Sequence, residues 1–362
     1  MNTSTRATRP RPVAGMVAAA IVLLLAAGCG QGAPTAAPPA APSNTRTVTD
    51  MTGRQVQVPT DVTRVATSYP ALNATMLLLG AADKVVATSP GVGTLFTNLV
   101  PNYPSIPQPF DATLTKVNEE QLLSTRPQVV FLSPAARPLL PTFERLGIPA
   151  VVFASFQNPD QLKAGVDLVA DIVGGDAPTK AQTFARYYDD NIARVQTKID
   201  PIPEANRPTA YYTAGNPTQT EGQKSIVTIW MSQGGARNIA AANGVQGPAF
   251  TDVTLEDVIR WNPAYIICRD GPTKTQILGD PRWRTIAAVR ANKVLINPKG
   301  VYVWSVRSAE SALQPLWAAK TFHPDLFADL DMTAEVKRFY QQFYNYTLTD
   351  QQTAAILNPP AA

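Results

Sequence analysis

Residues 117–132 read VNEEQLLSTRPQVVFL, and residues 253–268 read VTLEDVIRWNPAYIIC. The two stretches are one unit used twice. Val117 matches Val253, Glu120 matches Glu256, Leu122-Leu123 matches Val258-Ile259, and Pro127 matches Pro263. Each opens on a capping residue, Asn118 or Thr254, with Gln121 or Asp257 three positions later, a start signal for a helix. Each proline ends its helix, because the residue before a proline is pushed out of the helical region. An unbroken apolar run follows, as expected of a strand buried on both faces of a parallel sheet. A helix–proline–strand unit in each half predicts two similar α/β lobes.

The flanking sequence extends the pattern. Strands are expected at Arg64–Thr67, Lys84–Ala87 and Ala150–Phe153, and in the second half at Thr209–Tyr212 and Lys293–Ile296. Helices are expected at Asn73–Leu79, stopped by Gly80, and ending at Leu146, capped by Gly147. Strands alternating with helices mean parallel sheets covered by helices. Between the halves, Phe184, Tyr188, Ile192, Val195 and Ile199 form one apolar stripe at helical spacing. Pro178 and Pro201 bound that helix; at 1.5 Å per residue it would span roughly 33 Å, which suits a strut between lobes. An ordinary helix of one lobe is the alternative. Two more helices are expected near Ser308–Thr321 and Thr333–Tyr346, the second burying Phe339, Phe343 and Tyr346.

The amino terminus looks like a secretory leader. Arg6, Arg9 and Arg11 precede an apolar run from Val13 to Ala27, too short for a good membrane span. The ending Leu25-Ala26-Ala27-Gly28-Cys29 resembles a bacterial lipobox, which makes Cys29 the expected site of lipidation and anchors the protein to the plasma membrane from outside. Plain secretion is the alternative. The Pro/Ala-rich stretch after it reads as a semi-extended tether. The expected organisation is signal peptide 1–28, tether 29–45, N-terminal lobe 46–157, a helical linker 158–206 that includes the bridging helix, C-terminal lobe 207–346 and a tail 347–362. The whole chain carries 31 basic and 27 acidic side chains, a net +4. Without the three leader arginines the balance falls to 28 against 27, too even to drive nucleic-acid binding. The remaining cysteine, Cys268, lies in an apolar strand and is expected to be buried and inert.

Catalytic chemistry is sparse. His323 is the one histidine, so neither a Ser–His–Asp arrangement nor a histidine-rich metal site is available, and we read it as structural. Gly91-Val92-Gly93 begins like a dinucleotide fingerprint, but Phe96 stands at the third glycine position. A binder is expected, not an enzyme. In open α/β sheets ligands bind beyond the carboxyl ends of the strands. The side chains expected there are Tyr69, Ser89, Ser133, Arg137 and Phe156 in the first half, and Tyr212, Phe250, Arg269, Tyr302, Trp304 and Arg307 in the second. Arginine forks suit carboxylates and phosphates, and flat aromatics suit planar or bulky ligands.

The order of these motifs resembles the bacterial substrate-binding proteins that feed iron-siderophore, haem and cobalamin ABC importers. TVTDMTGRQVQVPTDVTRVAT (Thr47–Thr67), LGIPAVVF (Leu146–Phe153), GGARNIA (Gly234–Ala240) and DPRWRTIAAVRANKVLINP (Asp280–Pro298) carry the likeness together with the repeated unit. The resemblance implies two Rossmann-like lobes joined by one rigid helix, with the ligand in the cleft between them. It implies that Glu120 and Glu256 dock a permease dimer served by an ATPase, with the binding protein acting as a monomer. Helix N-terminal acids favoured by the macrodipole are the plainer account of both glutamates. Leu114 and Phe250 fall where cobalamin-binding relatives carry cleft tryptophans, and Leu114 departs from that pattern. Trp304-Ser305-Val306-Arg307 resembles a Trp-Ser-Pro-Arg loop of iron- and nickel-chelate binders, with Val306 in place of proline. The expected ligand is a ferric siderophore or related metal chelate that keeps its metal inside the chelator, with no cofactor and no direct protein–metal bond. Haem held by Tyr69 or Tyr212, cobalamin, and a ligand-binding sensor lipoprotein are the alternatives.

Overall fold

Two four-stranded parallel sheets with the same strand order organise the chain. In this computed structural model, residues 44–361 are described except residue 92. The leader, Cys29 and nearly all of the tether lie outside the described residues. A hairpin of β1 (Thr45–Thr49) and β2 (Gln55–Pro59) opens the fold. The first sheet contains β3 (Val65–Thr67), β4 (Val85–Ala87), β5 (Val129–Leu132) and β6 (Ala150–Val152), in the order β4-β3-β5-β6. The second half adds β7 (Thr209–Thr213), β8 (Gln219–Thr220), β9 (Arg237–Asn238), β10 (Thr251–Asp252), β11 (Tyr265–Cys268) and β12 (Val294–Ile296). Its parallel sheet runs β9-β7-β11-β12, the same topology as the first, and β8 and β10 form a small antiparallel pair.

The repeated sequence unit occupies equivalent places. Asn118 caps the helix Glu119–Ser124 by accepting from the Gln121 amide, and Thr254 caps Leu255–Trp261 in a reciprocal box with Asp257. The strands that follow, β5 and β11, are the inner strands, each paired on both sides. Both faces of each strand are covered by packed side chains, which is why both are apolar without a break.

Alternation along each strand sorts side chains into layers. Val129 and Phe131 of β5, and Tyr265 and Ile267 of β11, face one continuous core. Val130 and Leu132 face a satellite core on the first sheet; Ile266 and Cys268 face another on the second. The helix Ala177–Ile199 runs along the continuous core and buries Phe184, Tyr188, Asn191, Val195 and Ile199. Asn191 Nδ2 donates to the Ala312 carbonyl at 2.9 Å, and Phe184 meets Phe343 edge-on at 5.9 Å. The strut therefore shares its core with both sheets, and Asn44–Ala362 is one compact unit.

Three local expectations change. The element expected over Ser308–Thr321 is a 3-10 turn, Ala309–Leu313, followed by the helix Gln314–Phe322. The last long helix is Met332–Tyr344; Asn345 takes a left-handed conformation and stops it, so Tyr344 is buried where Tyr346 was expected. Residues 347–362 carry a further helix, Asp350–Leu357, opened by a Thr349–Gln352 capping box.

Candidate binding cleft

Two cavities lie where the carboxyl ends of the two sheets face each other. The smaller, about 210 Å³, is lined from the first half by Tyr69, Leu114, Ser133 and Phe156, and from the second by Phe250 and Arg307. Among the described residues, seven non-glycine residues have positive φ, and three of those are asparagines, which tolerate it. Of the other four, three line this one cavity: Leu114 (φ 59°), Phe250 (φ 45°) and Arg307 (φ 44°). Strained backbone of this kind costs on the order of 1–3 kcal/mol per residue and persists where function holds it. Arg307 Nε is buried and has no hydrogen-bond partner. A buried guanidinium donor left free is costly unless a ligand completes it.

The larger cavity, about 540 Å³, is lined by Gly91 and Gly93 from the first half and by Arg269, Lys299 and Tyr302 from the second. The Tyr302 hydroxyl donates to the Tyr69 hydroxyl at 3.3 Å, and their rings meet edge-on at 5.9 Å. This tyrosine pair joins the lobes, with Tyr69 facing the smaller cavity and Tyr302 the larger. Arg269 lies over the Phe250 ring at 5.6 Å and donates to the Ala214 carbonyl at 3.3 Å.

The electrostatics favour an anion. Burial, then the neighbouring Tyr302, holds the Tyr69 phenol far above its usual range, so it is a neutral donor. Burial works to lower Arg269, but Tyr212, Tyr302, Tyr69 and Glu221 outweigh it and keep the guanidinium charged. Glu221 has no counterpart in the sequence reading. Burial pushes its carboxyl up to about 7, against the pull of Arg307 and Arg269, and its Oε2 has no partner. It follows the two-residue β8, too short to show a pattern in sequence.

The family model for periplasmic binding proteins matches residues 65–300. The chain belongs to the periplasmic binding protein family. It is 29% identical over 331 residues to the molybdate-binding protein MolA of Haemophilus influenzae, covering 83% of this chain and 91% of that protein. The solved structure of MolA bound to molybdate superposes with a TM-score of 0.76 at 26% identity, covering 84% of this chain and 99% of that one. A periplasmic solute binding protein from Veillonella parvula superposes at 0.74 with 26% identity, covering 87% and 97%. An Fe3+-hydroxamate transport protein from Saccharomonospora viridis shares the fold, with a TM-score of 0.61 at 20% identity, covering 77% and 99%. This periplasmic binding protein is thus a solute-binding component of an ABC transporter, a non-enzymatic class that works outside the cytoplasm. No helix among the described residues is long and apolar enough to cross a membrane.

The structure of this periplasmic binding protein brings Tyr69, Ser133, Phe156, Phe250 and Arg307 to the smaller cavity, and Arg269 and Tyr302 to the larger. Four expected cleft residues stand elsewhere. Trp304 is fully buried in the continuous core, because its loop turns that side chain inward while Tyr302 and Arg307 turn out. Tyr212 is fully buried on the helix-facing side of β7, its hydroxyl 2.8 Å from that of Ser305; alternation, with Tyr211 on the other face, puts it there. Ser89 is buried and lines neither cavity. Arg137 is exposed on the 3-10 turn Pro134–Leu139, past the end of β5, and lines neither cavity. His323 Nε2 bonds the Gly235 carbonyl at 2.9 Å, in keeping with a structural role. Cys268 is buried, and burial pushes its thiol up to about 12.

Glu120 and Glu256 are exposed at the second positions of their equivalent helices. Their neighbours are already paired, Glu119 with Arg145 and Asp257 with Arg260 at Oδ1. Among the described residues, neither Glu120 nor Glu256 has a cation within ion-pair distance, so both carboxylates remain available to a partner.

Proposed function

We propose that this periplasmic binding protein captures a compact oxyanion of the molybdate class in its cleft and hands it to a two-fold permease. The Arg307 guanidinium, whose buried Nε has no partner, beside the neutral Tyr69 hydroxyl carries this reading. The 210 Å³ cavity lies below the ~300 Å³ at which drug-sized sites begin, which suits a small anion. MolA, a relative over most of its length, is named for molybdate. Isothermal titration of residues 44–362 against molybdate, tungstate and sulfate tests it. Saturable binding of molybdate that falls about 10- to 100-fold in Arg307→Ala is expected, the loss of a hydrogen bond to a charged group.

A ferric siderophore or other metal chelate is the second reading. The 540 Å³ cavity with Arg269, Lys299 and Tyr302 favours it, being large enough for an anionic chelate. Binding of a ferric siderophore without any of the three oxyanions would select this reading. Binding of neither class would remove both. Haem ligation by Tyr69 is disfavoured by the burial that keeps its phenol protonated, and Tyr212 is out of reach. Lipidation of Cys29 would tether the body to the plasma membrane, and radiolabelled palmitate incorporation lost in Cys29→Ser tests that. Docking through Glu120 and Glu256 separates a transporter subunit from a sensor, since only the first needs them for uptake.

A further inference from the structure

The segment that follows the last helix is part of the cavity. Pro359 and Pro360 line the 540 Å³ space beside Arg269 and Tyr302. One contact anchors the end of the helix before it, and two hold the segment itself. The Lys299 amide donates to the Ile356 carbonyl at 3.1 Å, and the Thr275 hydroxyl donates to the Ala361 carbonyl at 3.1 Å. At Gly271 the backbones touch: a Cβ there would come within 2.4 Å of the Pro360 carbonyl oxygen and 2.5 Å of Ala361. The segment thus ties together two loops, one after β11 carrying Arg269 and Gly271, the other after β12 carrying Lys299 and Tyr302.

The chemistry of the segment suits a wall. Two consecutive prolines have fixed φ and no amide hydrogen, so they form a stiff surface without donors to bind or steer an anion. Gly271 is the residue type the approach requires, since a side chain of any size would displace it. We infer that residues Asn358–Ala361 close one side of the 540 Å³ cavity and set how fast a chelate held there leaves. This deepens the metal-chelate reading of the larger cavity and rests on that reading.

Two variants test it: a chain ending at Leu357, which removes the wall, and Gly271→Ala, which displaces it. Release of a bound ferric catecholate chelate, chased with excess unlabelled chelate, is expected to be about tenfold faster in both. A readout without ligand accompanies these: hydroxyl-radical labelling of the half-buried Tyr302 should rise about threefold, with labelling of the core residue Tyr188 unchanged as the measure of intact folding. Unchanged release and unchanged Tyr302 labelling would overturn the inference. If the parent chain does not bind the ferric chelate, the metal-chelate reading falls. The Tyr302 labelling then decides the wall by itself, a rise supporting it and no rise overturning it.

Discussion

Replacing Glu310 by glutamine should flatten the fall in stability between acid and neutral pH. Glu310 is fully buried in the turn that supports the cleft loop. Its Oε2 accepts from the Tyr302 amide at 2.8 Å, and its Oε1 accepts from the Tyr340 hydroxyl. Among the described residues no cation forms an ion pair with it; the titratable groups facing it are the phenols of Tyr340 and Tyr344. Burial pushes its carboxyl from 4.5 up to about 7, even though hydrogen bonds from Tyr302, Tyr340 and Val301 work to lower it. The folded chain therefore holds this proton more tightly than the unfolded chain. That contribution is present in full below about 4.5 and is lost as the pH rises through about 7. At 1.36 kcal/mol per pH unit the full span is about 3 kcal/mol, most of which falls between pH 5 and 8. Glu221, also raised to about 7 by burial, adds a similar slope that the variant retains. Urea unfolding of residues 44–362 at pH 5 and pH 8 measures the difference. The drop in Glu310→Gln should be smaller than in the parent chain by about 2–3 kcal/mol. Equal drops in the two proteins would refute the assignment of a buried, proton-holding carboxyl beneath the Tyr302 loop.

Phe184→Ala, at the centre of the strut, should cost about 3–5 kcal/mol in the same unfolding assay, because the side chain is fully buried among core aromatics. Asn73 donates to the Thr88 hydroxyl and to the Tyr103 hydroxyl, both at 2.8 Å, within the first sheet's core. Asn73→Ala strands these partners and should lower stability by about 1–3 kcal/mol. Gly147, at φ 67°, caps the helix before β6 in a left-handed conformation, and Gly147→Ala should cost roughly 1 kcal/mol. Charge reversal of Glu120 and Glu256 together should abolish solute uptake in cells while titration shows ligand affinity unchanged; a parallel loss of both would assign these residues to folding or binding instead.

Much of the fold is local and therefore legible. The two helix–proline–strand units were readable because caps, prolines and unbroken apolar runs are short-range signals that the backbone obeys without help. The strut followed from one apolar stripe, and the silence of the chain on catalysis followed from its single histidine. Tyr69, Ser133, Phe156, Arg269 and Arg307 could be placed near the cleft because each follows a strand end, and strand ends converge in this architecture. The direction of a side chain within a loop is a different matter. Trp304 and Arg307 are three residues apart in one irregular segment, and nothing in their order says that one turns into the core and the other into the cavity. Tyr212 is a related case: strand alternation puts it in the continuous core and Tyr211 in the satellite core, and which of two consecutive tyrosines takes which face depends on the packing around β7. Glu221 and the Pro359–Pro360 wall are more than a hundred residues apart in sequence, and each reaches the site only through long-range packing. The sequence by itself determined the lobes, their repeat and the class of molecule, because those rest on local backbone preference. The tertiary structure alone decided which charges, strained residues and prolines share a cavity, because that depends on distances between segments the chain does not encode locally.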